Sequence, residues 1–291
     1  MPTFHESIVQ GSDIWKEMRR KSITATDLPA IVAISEYVTP FQLWSRKVGL
    51  IPDVVENDAM RRGKELEPIA LQKYHDVNPL YKMSPAIVTH SDYPHFMASL
   101  DGFDKEKNRG VEIKCMGSKN HSKAVSGYID PTHYMQIQWQ MFCTGCQGWD
   151  YYCFGGEDGF NQTVLRDPVM IEEMIVKANE FLEMLRTITP PPFTDLDYED
   201  KSEDEGWNNM MEMYARFDHQ EKIAKENKEK VKESLVKYAD GRNVKGSNSK
   251  FTGYIKPGNV DYKSIPELSG IDLEKYRKPG TQCYRITLTK E

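Results

Sequence analysis

The sequence predicts a mixed α/β (α+β) fold in which one central sheet is flanked by helices. Three observations predict it. Helix signals fill the first third of the chain, and short apolar runs follow between residues 86 and 115. A helix–strand–strand–helix succession then leads to Pro190-Pro191-Pro192.

The elements follow in order. Ser12 is placed to cap a short helix through Arg20, and Thr26 to cap another through Ile34. Thr39-Pro40 puts a capping hydroxyl before a first-turn proline, and Gly49 is placed to stop that third helix. A longer helix is expected from Asn57 to His75, because Met60, Leu66, Ile69, Ala70 and Tyr74 fall near one face. Ala86–Thr89, Phe96–Leu100 and Val111–Cys115 read as strands. The polar stretch Asp101–Gly110 reads as a hairpin loop. Asp130-Pro131 opens a helix to Cys143, Trp149–Phe154 and Thr163–Leu165 read as strands, and Asp167-Pro168 opens a helix to Arg186.

The triple proline and the segment 195–206, with seven acidic residues in twelve, are expected to link residues 1–194 to an appendage, residues 207–291. In the appendage, Trp207–Ala239 reads as one helix with Glu/Lys spacings of three and four. A small β-rich lobe is expected after it, with Lys250–Ile255 and Gln282–Leu288 as strands.

Composition narrows the functional classes. Five cysteines in 291 residues exclude a small disulfide framework. No apolar run approaches the roughly 20 residues of a membrane span, and the first residues lack a secretory pattern. The expectation is a cytoplasmic protein with reduced thiols. The net charge of −6 argues on its face against nucleic acid, whose phosphates need Lys and Arg. The sign changes along the chain, however. Residues 195–240 carry 8 basic and 14 acidic groups, and residues 241–291 carry 10 and 5. A local basic surface is compatible with the acidic total.

The chemistry concentrates in Leu100-Asp101, ten residues, then Glu112-Ile113-Lys114. Glu112 and Lys114 are two apart on a strand and leave the same face. Asp101 belongs to the neighbouring strand of the hairpin, within about 5 Å. Two carboxylates and an ammonium at one sheet edge suit Mg²⁺ or Mn²⁺ rather than zinc. Such an ion polarises a phosphodiester, and the lysine orients water or stabilises developing charge. A bare Glu-x-Lys also matches an ordinary surface ion pair.

Further residues sharpen the choice: Gln10-Gly11-Ser12-Asp13-Ile14-Trp15, Arg19, Ile23-Thr24-Ala25-Thr26, Gly63-x3-Glu67, Ser99-Leu100-Asp101-Gly102, Glu112-Ile113-Lys114-Cys115 and Tyr134-Met135-x-Ile137-Gln138. In this order they resemble the phage lambda exonuclease, or YqaJ-type viral recombinase, branch of the PD-(D/E)xK nucleases, over about residues 10–190. The resemblance implies a restriction-endonuclease-like core. It implies that Asp101, Glu112 and the Ile113 carbonyl hold the metal, that Glu67 helps hold a second metal or its waters, and that Lys114 positions the attacking water with support from Gln138. It also implies a 5′-phosphate pocket at Arg19, Thr26 and Ser99. A guanidinium with two hydroxyls suits a phosphate. Leu100 replaces the proline of the superfamily name, and Thr26 stands where the lambda enzyme has serine.

Other features carry two readings each. Cys143-x2-Cys146-x6-Cys153 invites an iron–sulfur cluster, but a fourth cysteine is lacking upstream, so buried free thiols are expected and no cluster. His121 and His133 are expected to be solvated or hydrogen-bonded, and Trp149, Tyr151 and Tyr152 to be strand core. Met116–Gly127, read as a loop with Lys119, His121 and Lys123, is a DNA-contact candidate beside a plain solvated charge cluster. The Lys/Glu helix near 221–237 is expected to be a solvated face. A backbone-contacting role for Lys245, Lys250, Lys256, Lys275, Arg277 and Lys278 rests on charge alone.

Together these readings imply a Mg²⁺-dependent exonuclease on linear double-stranded DNA. By resemblance it degrades the 5′-ended strand, leaves a 3′ overhang for a phage-type single-strand annealing protein and forms a homo-oligomeric ring. The alternatives are another nuclease of the superfamily (an endonuclease or a Cas4-like single-strand exonuclease) and a non-catalytic DNA-end-binding protein.

Overall fold

The computed structural model describes residues 1–256, 258, 265–268 and 271. The chain divides into two compact units, Met1–Tyr198 and Glu199–Glu291.

The first unit opens with β1 (Thr3–Phe4), α1 (Asp13–Lys21), β2 (Ile23–Thr24), α2 (Leu28–Ile31) and α3 (Pro40–Lys47). Ser12 caps α1 through the Trp15 N–H, while Thr39 and Gln42 form a reciprocal capping box on α3. The cap of α2 is Asp27 rather than Thr26, and the helix is a single turn. Next comes α4 (Asp58–Val77), capped by Asn57. It runs through Pro68, which has no N–H to offer the Lys64 carbonyl.

The strands β3 (Ser84–Thr89), β4 (Phe96–Asp104) and β5 (Arg109–Cys115) follow. The hairpin loop is shorter than the sequence predicts. Asp104 Oδ1 accepts the N–H groups of Glu106 and Lys107, both at 2.9 Å, so the side chain itself closes a tight turn at 105–108 and β4 extends past Asp101. The stretch read as a loop contains a helix, α5 (Ser118–Val125). The rest is α6 (Pro131–Thr144), β6 (Gly148–Phe154), β7 (Gly159–Leu165) and α7 (Pro168–Arg186). Gly145, at φ +78°, takes the left-handed position that ends α6.

Seven strands form one sheet in the order β1-β3-β4-β5-β6-β7, and β2 adds parallel to β4. Among the described strands of this sheet, β2–β4 and β5–β6 pair parallel and the others antiparallel. Alternation along β6 separates two cores. Trp149, Tyr151 and Cys153 join a cluster with α2, α6 and α7, while Tyr152 and Phe154 join Ala70 and Tyr74 of α4. Helices therefore cover both faces. Residues Asp195–Asp197 form a 3-10 turn that belongs to this unit: Thr39 Oγ1 donates to Asp197, and Gln42 Nε2 donates to the Leu196 carbonyl at 3.2 Å.

In the second unit, Asp204 caps α8 (Glu205–Ala239), and Asp240 at φ +47° ends it. The pairs Glu221–Lys225 (2.6 Å) and Glu229–Lys232 (2.9 Å) lie on its exposed surface. A two-residue ladder joins β8 (Val244–Lys245) to β9 (Lys250–Phe251), shorter than the expected strand to Ile255. The expected strand Gln282–Leu288 and Lys275, Arg277 and Lys278 lie outside the described residues.

Candidate active site

The β4–β5 ladder holds for three pairs only, Gly102–Val111, Phe103–Gly110 and Asp104–Arg109. Its brevity has a local cause. Along β3–β4, Ser84 faces Phe103 and Ala86 faces Leu100, so β4 carries one extra residue between them. The strands part at this bulge, and the Asp101 carboxylate enters the ladder in place of a carbonyl. Its Oδ2 accepts the Ile113 N–H at 2.8 Å.

On β5, Val111 and Ile113 face α4, so the intervening Glu112 and the following Lys114 face α6. Glu112 is buried. Its Oε1 pairs with Lys114 Nζ at 2.6 Å, and its Oε2 accepts from Gln140 Nε2 at 2.5 Å. The Gln140 amide also reaches the Ser99 carbonyl at 3.4 Å, so one side chain of α6 bridges the parted strands. Lys114 Nζ donates to Gln136 Oε1 at 3.0 Å.

These groups share one electrostatic field. Burial, then the negative charges of Glu112 and Glu67, raise the Asp101 pKa well above the usual carboxylate range. Glu67, half-buried on α4, is raised by burial and then by Glu112. Burial opposes the charge on Lys114, but Glu112 and Asp101 outweigh it and its pKa rises. Cys115 is pushed up to about 11 by burial and then by Glu67 and Asp101, so its thiol stays protonated. No three histidine, cysteine, aspartate or glutamate side chains among the described residues already form a metal cage. The donor set at the split is nevertheless all oxygen: Asp101, Glu112 and, from α4, Glu67. That set fits a hard divalent cation, whose charge would relieve the crowding of buried carboxylates.

Gln138 requires a correction. It is fully buried, but it points away from Lys114. Its Nε2 donates to the Leu165 carbonyl at 2.9 Å, and its Oε1 accepts the Asp167 N–H at 2.8 Å. It therefore ties α6 to the junction of β7 and α7. Two residues of helix turn a side chain by about 200°, so Gln136 and Gln140, four apart, share the site face and Gln138 does not. His133 lies on that same stripe, with Nδ1 at 2.8 Å from the Tyr151 hydroxyl. Burial, then Lys114, lowers its pKa to about 3, so the ring is neutral. Gln136 and Gln140 are the residues that the motif reading missed. Their signal was partial: His133, Gln136 and Gln140 are spaced three and four, but Thr132, Gln138 and Thr144 are polar on the same helix, so spacing alone does not single them out.

A second polar cluster lies at α1 and the following turn. Arg19 Nη2 donates to Thr26 Oγ1 at 3.1 Å, and Thr26 Oγ1 lies 3.1 Å from Thr24 Oγ1. The Arg19 guanidinium sits 4.7 Å from the centre of the Trp15 ring, whose Nε1 donates to Ser99 Oγ at 2.9 Å. The structure thus connects Arg19, Thr26 and Ser99 through Trp15, and adds Thr24. Ser99 and Asp101 are two residues apart on β4, which links this cluster to the carboxylates. Lys119 is exposed on α5, immediately after β5. His121 packs at Gly155, where an added Cβ would stand 3.1 Å from its ring. Cys143, Cys146 and Cys153 are buried free thiols.

Three comparisons place these observations. The YqaJ-like viral recombinase domain matches residues 14–147, which include every group at the split. The uncharacterized protein YqaJ of Bacillus subtilis (strain 168) is 26% identical over 171 residues. That match covers 57% of this chain and 53% of YqaJ, so the chain spans about half the length of this relative. Among solved structures, an alkaline exonuclease (LHK-Exo) from Laribacter hongkongensis aligns with a TM-score of 0.54 at 24% identity, covering 61% of this chain and 94% of its own. A complex of LHK-Exo with dAMP aligns equally well. The likeness extends to the fold.

Proposed function

We infer that this chain, which carries a YqaJ-like viral recombinase domain over residues 14–147, is a phage-type nuclease that hydrolyses linear double-stranded DNA from its 5′ ends. One observation carries the reading: β4, bulged against β3, parts from β5 beyond Gly102–Val111, and Asp101, Glu112 and Lys114 meet at the gap within the field of Glu67.

In this reading Asp101, Glu112 and the Ile113 carbonyl hold a divalent cation, Mg²⁺ or Mn²⁺, and Glu67 helps hold a second ion or its waters. Such an ion supplies Lewis acidity toward a phosphodiester. The side chains do the rest. Lys114, kept cationic by its carboxylate neighbours, orients the attacking water and meets the charge that develops on phosphate. Gln136 fixes the ammonium from α6. Gln140 fixes Glu112 and thereby the separation of the two strands. Arg19, Thr26, Thr24 and Ser99 receive the 5′-phosphate, and Lys119 touches the DNA backbone. A ring-shaped homo-oligomer, 3′ overhangs and a phage-type annealing protein as partner, in the cytoplasm of a bacterial host, complete the proposal. They follow from the family resemblance. Among the described residues no helix is long and apolar enough to cross a membrane.

The test is digestion of a linear duplex with Mg²⁺, with and without a 5′-phosphate, beside a closed circle, and with Lys114→Ala as control. Nucleotide release from phosphorylated linear DNA alone, lost in the variant, is the expected result. Cutting of the circle would assign an endonuclease instead. DNA binding without cleavage in Mg²⁺ or Mn²⁺ would leave end binding as the function.

A further inference from the structure

Lys47, at the end of α3, is buried with 7% of its side chain exposed, and its partner Asp27 with 8%. An ammonium has three N–H donors, and Lys47 spends each of them. Nζ donates to the Ser22 carbonyl at 2.7 Å, to the Arg19 carbonyl at 2.9 Å and to Asp27 Oδ2 at 2.8 Å. The same Oδ2 accepts the Thr24 N–H at 2.9 Å, and the Asp27 N–H returns to the Thr24 carbonyl at 3.0 Å. One dry ion pair therefore closes the C-terminal end of α1 on one side and the Thr24–Asp27 turn on the other. Those are the two segments that carry Arg19 and the hydroxyls of Thr24 and Thr26.

Ion pairs out of water add little net stability compared with apolar groups of the same shape. What this pair supplies is geometry, because every donor has one fixed acceptor. We propose that Lys47–Asp27 is the positioning device of the phosphate pocket, setting the guanidinium of Arg19 at its working distance from the threonine hydroxyls. The proposal rests on the reading of Arg19, Thr24, Thr26 and Ser99 as a 5′-phosphate site. Neither Lys47 nor Asp27 touches DNA in it, and both act through the segments that they join.

The experiment compares hydrolysis of blunt duplexes bearing a 5′-phosphate or a 5′-hydroxyl. The proteins are the full-length chain and the double variant Lys47→Met/Asp27→Asn. The double change removes both charges together and keeps an oxygen for the Thr24 N–H. The expected result is a phosphate-over-hydroxyl rate ratio reduced roughly 10- to 100-fold, as small misplacements of binding groups produce, and expressed mainly in KM. A general loss of stability lowers both rates and leaves the ratio in place. Lys47→Arg, which keeps the charge but replaces the three-donor ammonium by a guanidinium of different reach, gives the same readout if the double variant melts below the assay temperature. A wild-type ratio near one would overturn the phosphate pocket itself. A wild-type preference that survives unchanged in both variants would overturn the positioning role alone.

Discussion

Asp101 is a carboxyl that the fold makes reluctant to ionise. Partial burial strips some of its hydration, and Glu112 and Glu67 add like charge. Its folded pKa therefore lies above its unfolded value, and the usual linkage of a paired carboxylate is reversed. Between those two values the unfolded chain binds fewer protons than the folded one, so stability falls as pH rises through the window. Thermal unfolding of the metal-free protein should show that fall, and Asp101→Asn should flatten it. Added Mg²⁺ should restore the wild-type Tm at high pH and leave the variant unmoved.

Substitution of the three glutamines of α6 should separate two kinds of role. Gln138→Ala strands the Leu165 carbonyl and the Asp167 N–H and should cost about 1–3 kcal/mol of stability, with nuclease activity per folded molecule retained. Gln136→Ala should lower kcat at small cost in Tm, whereas Gln140→Ala, which strands the buried Glu112 carboxylate, should lower both. Chemical denaturation beside a nuclease assay distinguishes them. The carboxylates and the lysine of the hairpin were legible in the sequence, because Glu112-Ile113-Lys114 alternates along one strand and Asp101 follows the apolar run of the strand before it. The supporting amides were not. Gln136, Gln138 and Gln140 differ only in their rotation about one helix axis, which the packing of α6 on the sheet decides.

At the level of elements, the β4–β5 hairpin combines a firm end and an open end. The firm end depends on close approach. A Cβ at Gly110 would stand 2.2 Å from the Trp149 ring, and one at Gly102 would stand 2.7 Å from the Val111 side chain. Gly110→Ala should destabilise by about 1–3 kcal/mol through overpacking, measured by denaturant midpoint. Beside it, Arg109 pairs with buried Asp150, whose Oδ2 accepts the Tyr74 hydroxyl at 2.6 Å, and Thr163 Oγ1 donates to the same carboxylate at 2.9 Å. The network joins α4, β5, β6 and β7. Arg109→Met leaves a buried carboxylate without its cation and should cost about 3–5 kcal/mol. Helix starts were readable because Ser12, Thr39, Asn57, Asp130 and Asp167 announce them by chemistry alone. The two-residue strands β1 and β2 were not, since their partners lie far along the chain. The hairpin tip was misjudged because Asp104 acts there as turn closure and not as loop polarity.

At the scale of the molecule, a chain of net charge −6 is proposed to act on a polyanion. Local charge must then carry the binding, and it must be salt-sensitive. Duplex affinity of a Lys114→Ala protein should fall linearly on a log–log plot against salt. Lys119→Ala should reduce the slope by about one if that side chain meets a phosphate. An unchanged slope would remove Lys119 from the interface. The division of the chain near residue 198 lies within the acidic stretch that composition marks. The sequence does not say that Asp197 would turn back to Thr39.

The bridge made by Gln140 has a practical consequence. The separation of Asp101 from Glu112 is governed by α6 and by the bulge, whereas the connection at 105–108 lies beyond three closed ladder pairs. Connection length and site geometry are thereby decoupled. Extra residues between Glu106 and Lys107 forfeit the Asp104–Lys107 turn bond, about 1 kcal/mol, and add closure entropy of about 0.6 kcal/mol per doubling of length. That tip is therefore a place to graft a fluorophore-binding tag or a tether while the carboxylates stay where they are.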